Sequence, residues 1–187
     1  MKVLVTGANG FIGINLMQYL AREAPDVDVW AFDLRYGQNI LNKVQVYEAI
    51  RNVDLVIHLA ASTHIDNSIE QDRVGDTITL ETNFVGTANI LWACRQHGVK
   101  MVFISTSEVY GTAQEAHLTP EGRMDESHPM LPNGAGYAAS KAGADLLCYS
   151  AWYTFRQDVV RVRPFNQYGP YQACEKMIPK AISHILG

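Results

Sequence analysis

With 187 residues, 48% of them hydrophobic and only 18% charged, the chain has enough apolar material for one good core and too little length for two ordinary domains. A net charge of -4 with no basic run excludes the electrostatic footprint of a nucleic-acid binder, and no apolar stretch approaches the roughly 18 residues that span a membrane. Cys94, Cys148 and Cys174 are odd in number and lack metal-ligand spacing, which argues against a disulfide framework or a metal site and for a soluble, cytoplasmic protein.

In chain order, short runs rich in Val and Ile alternate with longer helical patterns, the signature of βαβ units around a parallel sheet in an α/β protein. Strands are predicted over residues 2–6, 28–32, 54–59, 100–105 and 158–163. Long helices are predicted over 11–23, 77–96 and 136–155, a short one over 43–51 and a last one over 175–186. Gly98 stands where a helix C-terminal glycine belongs, and Pro25 follows the first helix. The stretch 112–132, with its prolines and mixed charge, predicts a loop longer than a simple connection needs.

The first strand runs into Thr6-Gly7-Ala8-Asn9-Gly10-Phe11-Ile12-Gly13, with glycines at every third position of a strand-to-helix junction. Gly7 permits a tight turn, Gly10 lets backbone approach a pyrophosphate, and Gly13 lets the helix lie close to the strand. The helix N-terminus then offers oriented N–H groups to phosphate. The second strand ends at Asp33, twenty positions after Gly13, where a carboxylate accepts hydrogen bonds from an adenosine ribose and repels a 2′-phosphate. This pairing points to NAD in preference to NADP. Further on, Tyr137 and Lys141 are four apart on a predicted helix and share a face. An ammonium beside a phenol lowers its pKa from the usual value of about 10, so the pair is expected to converge and act as an acid/base.

With TGxxGFIG, Asp33-Leu34, His58-Leu59-Ala60-Ala61, Asn83 and Tyr137-x-x-x-Lys141 in this order, the chain resembles the extended short-chain dehydrogenase/reductases along essentially its whole length. The resemblance implies a Rossmann-like, doubly wound parallel sheet carrying NAD. It makes Gly7, Gly10, Phe11, Ile12, Gly13, Asp33, Leu34, Leu59, Ala60, Ala61, Thr63, Tyr137, Lys141 and Pro164 cofactor neighbours. Asn39-Ile40 falls where the family usually has Asp-Ile beside the adenine, so close to Asp33 that the usual third strand is missing or collapsed. The family's hydroxyl partner lies three residues before the Val of Val-Tyr-Gly, which here is Thr106.

Within that family the chain is most similar to sugar-nucleotide 4,6-dehydratases. The similarity rests on Thr63 to Ser68, Ser105-Thr106-Ser107-Glu108-Val109-Tyr110-Gly111, and Arg163 to Gln172 followed by Glu175-Lys176-Met177-Ile178-Pro179. It implies oxidation at carbon 4 by Thr106, Tyr137 and Lys141, with Glu108 taking the carbon-5 proton and Ser107 standing where an acid is common. Ser68, Thr106 and Asn166 are expected to contact a nucleotide-sugar substrate; His64 is read as structural. A 4-epimerase needs the triad without Glu108, and a UDP-glucuronate decarboxylase shares the Thr-Ser-Glu run. Family members continue well beyond Ile178-Pro179 into a substrate-binding lobe, so a truncated lobe and a non-catalytic NAD-binding module stand as a further alternative. The family also pairs two helices across a two-fold axis, and the stripes Phe84, Ala88, Leu91 and Ala144, Leu147, Ala151 are the expected homodimer contacts.

Overall fold

The computed structural model describes residues 1–63, 77–111, 124–133 and 136–186. Strand β1 (Lys2–Thr6) leads into helix α1 (Phe11–Glu23), then β2 (Asp28–Phe32), a 3-10 turn (Leu34–Tyr36), α2 (Lys43–Ile50) and β3 (Leu55–His58). A helix α3 (Thr77–Leu80) passes through a π-helical turn (Glu81–Val85) into α4 (Gly86–His97), which is followed by β4 (Lys100–Ile104) and a second 3-10 turn (Ser107–Tyr110). Helix α5 (Gly136–Phe155), β5 (Val159–Val162) and α6 (Met177–Leu186) complete the described chain.

All pairings are parallel, in the order β2-β1-β3-β4-β5. Residues 33–54 go from β2 to β3 through the 3-10 turn and α2 with no strand between them, so the usual third strand is absent, as expected. In its place Asn42 caps α2, its side chain accepting from the N–H groups of Val44 and Gln45. The predicted helices at 11–23 and 136–155 have the observed limits. The one at 77–96 differs, because five of its residues are wound as a π turn around buried Asn83. Hydrophobic periodicity does not distinguish such a turn from α-helix, and π turns concentrate at functional sites.

Alternation along the strands divides the core between two faces. Val3 and Val5 face α1 through Leu16 and Met17. Leu4, Val56, Met101 and Phe103 face the other way, onto Val46 and Ile50 of α2, Ile90 of α4 and Cys148 of α5. Ile40 belongs to this second cluster and presses on Gly86, so it is a core residue rather than a free neighbour for a ligand. Leu91, Ala144 and Ala151 of the expected dimer stripes are likewise buried in it, because those faces of α4 and α5 cover the sheet.

Two glycines are dictated by close approach. A Cβ on Gly13 would stand 2.2 Å from the Gly7 carbonyl oxygen, and Gly7 itself has φ +70 with Ala60 backbone 2.7 Å from where its Cβ would be. These contacts draw the carboxyl end of β1, the first turn of α1 and the end of β3 into one tight corner. Gly98 ends α4 in the left-handed conformation, returning its N–H to Arg95 and Cys94 carbonyls.

Candidate active site

The corner that the glycines create is lined by polar groups. Asp33 ends β2 with both carboxylate oxygens occupied by backbone, Oδ2 accepting from Asn9 N–H at 2.9 Å and Oδ1 from Arg35 N–H at 2.9 Å. Asn9 Oδ1 accepts from the Tyr36 hydroxyl at 3.3 Å, whereas the buried Asn9 Nδ2 has no partner. A buried donor without an acceptor is costly to the free protein and suits a ligand oxygen. Side-chain-free backbone at Gly7, Gly10 and Gly13, a strand-end carboxylate and this orphan amide together fit an adenine dinucleotide. Phe11 is half-buried and Ile12 exposed beside the turn, and Leu34 is exposed just beyond Asp33. Asn39 spends its side-chain oxygen on the Leu41 N–H.

Beneath the corner runs a buried hydrogen-bonded chain. Thr6 and His58 are direct partners in the β1–β3 register, and the Thr6 hydroxyl meets His58 Nδ1 at 2.6 Å. His58 Nε2 meets the Thr87 hydroxyl at 3.0 Å, and that hydroxyl donates its only proton to the Asn83 carbonyl at 2.6 Å. Proton accounting therefore assigns the neutral Nε2–H tautomer to His58, with Thr6 donating to Nδ1 and accepting from Ala60 N–H. Burial and the nearby Lys141 charge hold the imidazole neutral, its pKa pulled down to about 3. Asn83 extends the chain: its oxygen accepts from Ser62 N–H at 2.8 Å, and its Nδ2 donates to the Ser140 hydroxyl at 2.9 Å and to the Ser62 carbonyl. Ser140 in turn donates to the Tyr137 carbonyl at 2.7 Å. The start of α5 is thereby tied to the glycine corner. Thr6, His58, Asn83 and Tyr137 stand in sequence motifs, whereas Thr87, Ser62 and Ser140 do not; Thr6 and His58 are 52 positions apart, and strand register alone joins them.

Across the carboxyl edge, β4 delivers Thr106 to Glu108. Thr106 is buried and caps the 3-10 turn, its hydroxyl accepting from Glu108 N–H, and Ser107 N–H donates to the Pro164 carbonyl. The Tyr137 side chain hydrogen-bonds that of Thr106. The convergence of Tyr137 with Lys141 differs from expectation. Lys141 Nζ donates to the Ile104 carbonyl at 2.6 Å and lies 4.4 Å from the centre of the Phe103 ring. Burial lowers its pKa to about 8, opposed by Cys148 and Asp145. The Tyr137 hydroxyl is instead pushed up to about 12 by burial and by the Glu108 charge, with Thr106 opposing. A shared helix face brings two side chains near each other, and a buried carbonyl in reach then captured the ammonium.

Burial also raises the Glu108 carboxyl above the usual range, with Lys176 drawing it back down. One turn beyond Lys141, Asp145 is fully buried and accepts from Arg163 Nε at 2.9 Å, Arg163 Nη2 at 2.8 Å and Arg161 Nη1 at 2.7 Å. Arg163 also donates to the Tyr110 hydroxyl at 2.7 Å, fastening α5 and β5 to the turn that bears Glu108. Thr63 and Asn166 are exposed, Leu59, Ala60, Ala61 and Pro164 are partly buried, and Ser68 and His64 lie outside the described residues.

The model of the NAD dependent epimerase/dehydratase family matches the chain over residues 3–187. The chain belongs to that family. A dTDP-glucose 4,6-dehydratase of Mycobacterium tuberculosis is 39% identical over 207 residues, covering 100% of this chain and 59% of its own length. Among solved structures, the dTDP-glucose 4,6-dehydratase of Streptomyces venezuelae with NAD bound superposes with a TM-score of 0.85 at 35% identity, covering 100% of this chain and 62% of that one. The UDP-glucuronic acid 4-epimerase of Bacillus cereus, in complex with UDP-glucuronic acid and NAD, superposes at 0.82 with 28% identity, covering 100% and 63%. The chain thus spans about three fifths of the length of these family members. No helix among the described residues is long and apolar enough to cross a membrane.

Proposed function

We propose that the chain carries the oxidation and elimination residues of an NAD-dependent sugar-nucleotide 4,6-dehydratase acting on a dTDP-linked hexose. The observation that carries this reading is the raised carboxyl of Glu108 set electrostatically against Tyr137, an arrangement that a 4-epimerase does not require. Gly7, Gly10, Phe11, Ile12, Gly13 and Asp33 hold the dinucleotide, and Asp33 selects NAD by repelling a 2′-phosphate. A nicotinamide bound at the carboxyl edge supplies a reversible two-electron acceptor for the sugar carbon.

The chain's own residues handle protons. Thr106 holds the 4-hydroxyl oxygen while Tyr137 accepts its proton. With its pKa pushed up to about 12, Tyr137 needs positive charge close to its oxygen to act as a base; the role is assigned to Lys141, one turn along α5, whose ammonium must leave the Ile104 carbonyl to fill it. The 4-ketone acidifies carbon 5, from which Glu108 removes a proton. The hydroxyl at carbon 6 departs as water with a proton returned by Glu108 or by a water held at Ser107, and the two electrons taken from carbon 4 would be returned to carbon 6 with a proton to carbon 5, which gives the 4-keto-6-deoxy sugar. Ser68 and Asn166 are assigned to the nucleotide sugar. The test is incubation of the chain with NAD and a panel of dTDP- and UDP-sugars: a 4-keto-6-deoxy product from a dTDP-hexose is expected, and a C4 epimer would transfer the assignment to the epimerases.

We also propose that the protein is a cytoplasmic homodimer. Its pairing surface is the exposed apolar row of Leu146, Tyr149 and Tyr153 on α5 with Phe84 on the π turn, in place of the buried stripe. Light scattering at micromolar concentration is expected to give twice the chain mass, and a monomeric mass would refute the pairing.

A further inference from the structure

The segment at residues 166–172 takes an unusual course. It leaves β5 at the outer edge of the sheet and reaches α1, which follows β1, three strands away in the order β5-β4-β3-β1. At about 4.8 Å per strand it must travel about 14 Å along the carboxyl edge, where ligands of open parallel sheets bind. At its far end it is fastened to α1 at two points. Asn15 Nδ2 donates to the Pro170 carbonyl at 3.0 Å as well as to the Phe11 carbonyl at 2.9 Å, and Gln18 Nε2 donates to the Tyr171 hydroxyl at 3.0 Å. Just before these points Gly169, at φ +156, lies beside the Phe11 ring, 3.7 Å from where its Cβ would be.

The segment is also knit to itself. Gln172 donates through its backbone to the Gly169 carbonyl and through its side chain to the Gln167 carbonyl, closing the segment on itself. Tyr171 holds φ +68, a left-handed conformation that is costly for a residue with a Cβ and persists only where its surroundings impose it. Tyr171 is the third residue of the turn closed by the Gln172 N–H on the Gly169 carbonyl, with Pro170 second, the position at which a type II turn takes a positive φ.

We propose that Asn15 and Gln18 clasp residues 166–172 across the mouth of the dinucleotide cleft, and so slow both entry and release of the bound cofactor. The proposal rests on the NAD-binding reading above. It gives the fold a means of keeping one dinucleotide through repeated turnovers, which a reaction that removes two electrons from its substrate and later returns them requires. Asn15 and Gln18 are positioning residues in this scheme: they touch the strap and stand outside the set assigned to the cofactor.

The test loads the chain with radiolabelled NAD and chases it with unlabelled NAD. Replacing both anchors, Asn15→Ala with Gln18→Ala, removes two side-chain hydrogen bonds and is expected to speed release about tenfold, with faster loading and a Kd changed less than threefold. Tyr171→Phe, which deletes only the hydroxyl, guards against misfolding of the double variant and is expected to speed release about threefold. Unchanged release in Tyr171→Phe overturns the clasp. Faster release at an unchanged loading rate also overturns it, because Asn15 and Gln18 would then belong to the cofactor seat itself. A parent chain that binds no NAD overturns the cofactor reading and the clasp together, whereas a parent that binds NAD with release unaffected by the anchors overturns the clasp alone.

Discussion

Tyr137→Phe is expected to suppress the near-ultraviolet absorbance of reduced nicotinamide and the keto-sugar product together, by about 10²–10⁴-fold, the range for loss of a positioned acid/base. The reason lies in what surrounds that oxygen. Its side chain is bonded to that of Thr106, the charge of Glu108 faces it, and no second phenol or imidazole among the described residues influences it. The buried His58 offers no substitute: both ring nitrogens are committed to threonine hydroxyls, and protonating Nδ1 would set N–H against the Thr6 donor. Thr106→Val tests the same point from the other side, with a smaller loss expected because it removes a hydrogen bond and leaves the base. Single-turnover measurements with enzyme in excess separate the two variants. A Tyr137→Phe protein that still formed reduced nicotinamide at the parental rate would remove Tyr137 from the oxidation and with it the proposed site.

Much of this was legible in the sequence, and the parts that were not share a physical cause. The glycine spacing at 7, 10 and 13 stated a local requirement, and the structure meets it locally: a Cβ at Gly7 or Gly13 is excluded by backbone a few residues or one strand away, and one at Gly10 would be tight against the Gly7 carbonyl. Asp33 likewise sits where β2 must end. The collapse of residues 33–54 into a turn and a short helix was signalled by Asn39-Ile40, which the family resemblance sets beside the adenine and which follows Asp33 too closely for a strand between them. What escaped were contacts that strand register creates between distant residues. Nothing in the local pattern pairs Thr6 with His58, or leads through Thr87 and Asn83 to Ser140 and the backbone of Tyr137.

The charges were misread for a related reason. Spacing on a helix says which residues share a face, but it carries no information on which buried carbonyl lies in reach of a long side chain. Lys141 went to Ile104, and the Tyr137 pKa rose instead of falling. The dimer stripes divide for the same reason, with Phe84 left exposed: periodicity finds an apolar face, and only packing tells whether sheet or partner covers it. Leu91, Ala144 and Ala151 went to the sheet, leaving Leu146, Tyr149 and Tyr153 outside.

Glu108→Gln is expected to divide the reaction in two. Oxidation by Thr106, Tyr137 and Lys141 precedes any need for the carboxylate, so reduced nicotinamide should still form and then persist, while elimination product falls by at least about 10²-fold. The amide keeps the size and some of the hydrogen bonding of the carboxyl, so loss of the base rather than of the fold accounts for the difference. Removing the Glu108 charge should also lower the Tyr137 pKa, because that charge is one of the two influences that raise it. The oxidation half-reaction of Glu108→Gln is therefore expected to reach its plateau at lower pH than in the parent, an effect opposite in direction to general damage. The raised carboxyl of the parent is suited to its double task, since burial makes it a stronger base toward the carbon-5 proton, which it then returns to the departing hydroxyl. A 4-epimerase has no such task and would tolerate the substitution with modest loss, while a decarboxylase would release carbon dioxide from a glucuronate substrate alone. Full turnover of a non-acidic sugar nucleotide by Glu108→Gln would eliminate the dehydratase assignment and leave the epimerase reading in its place.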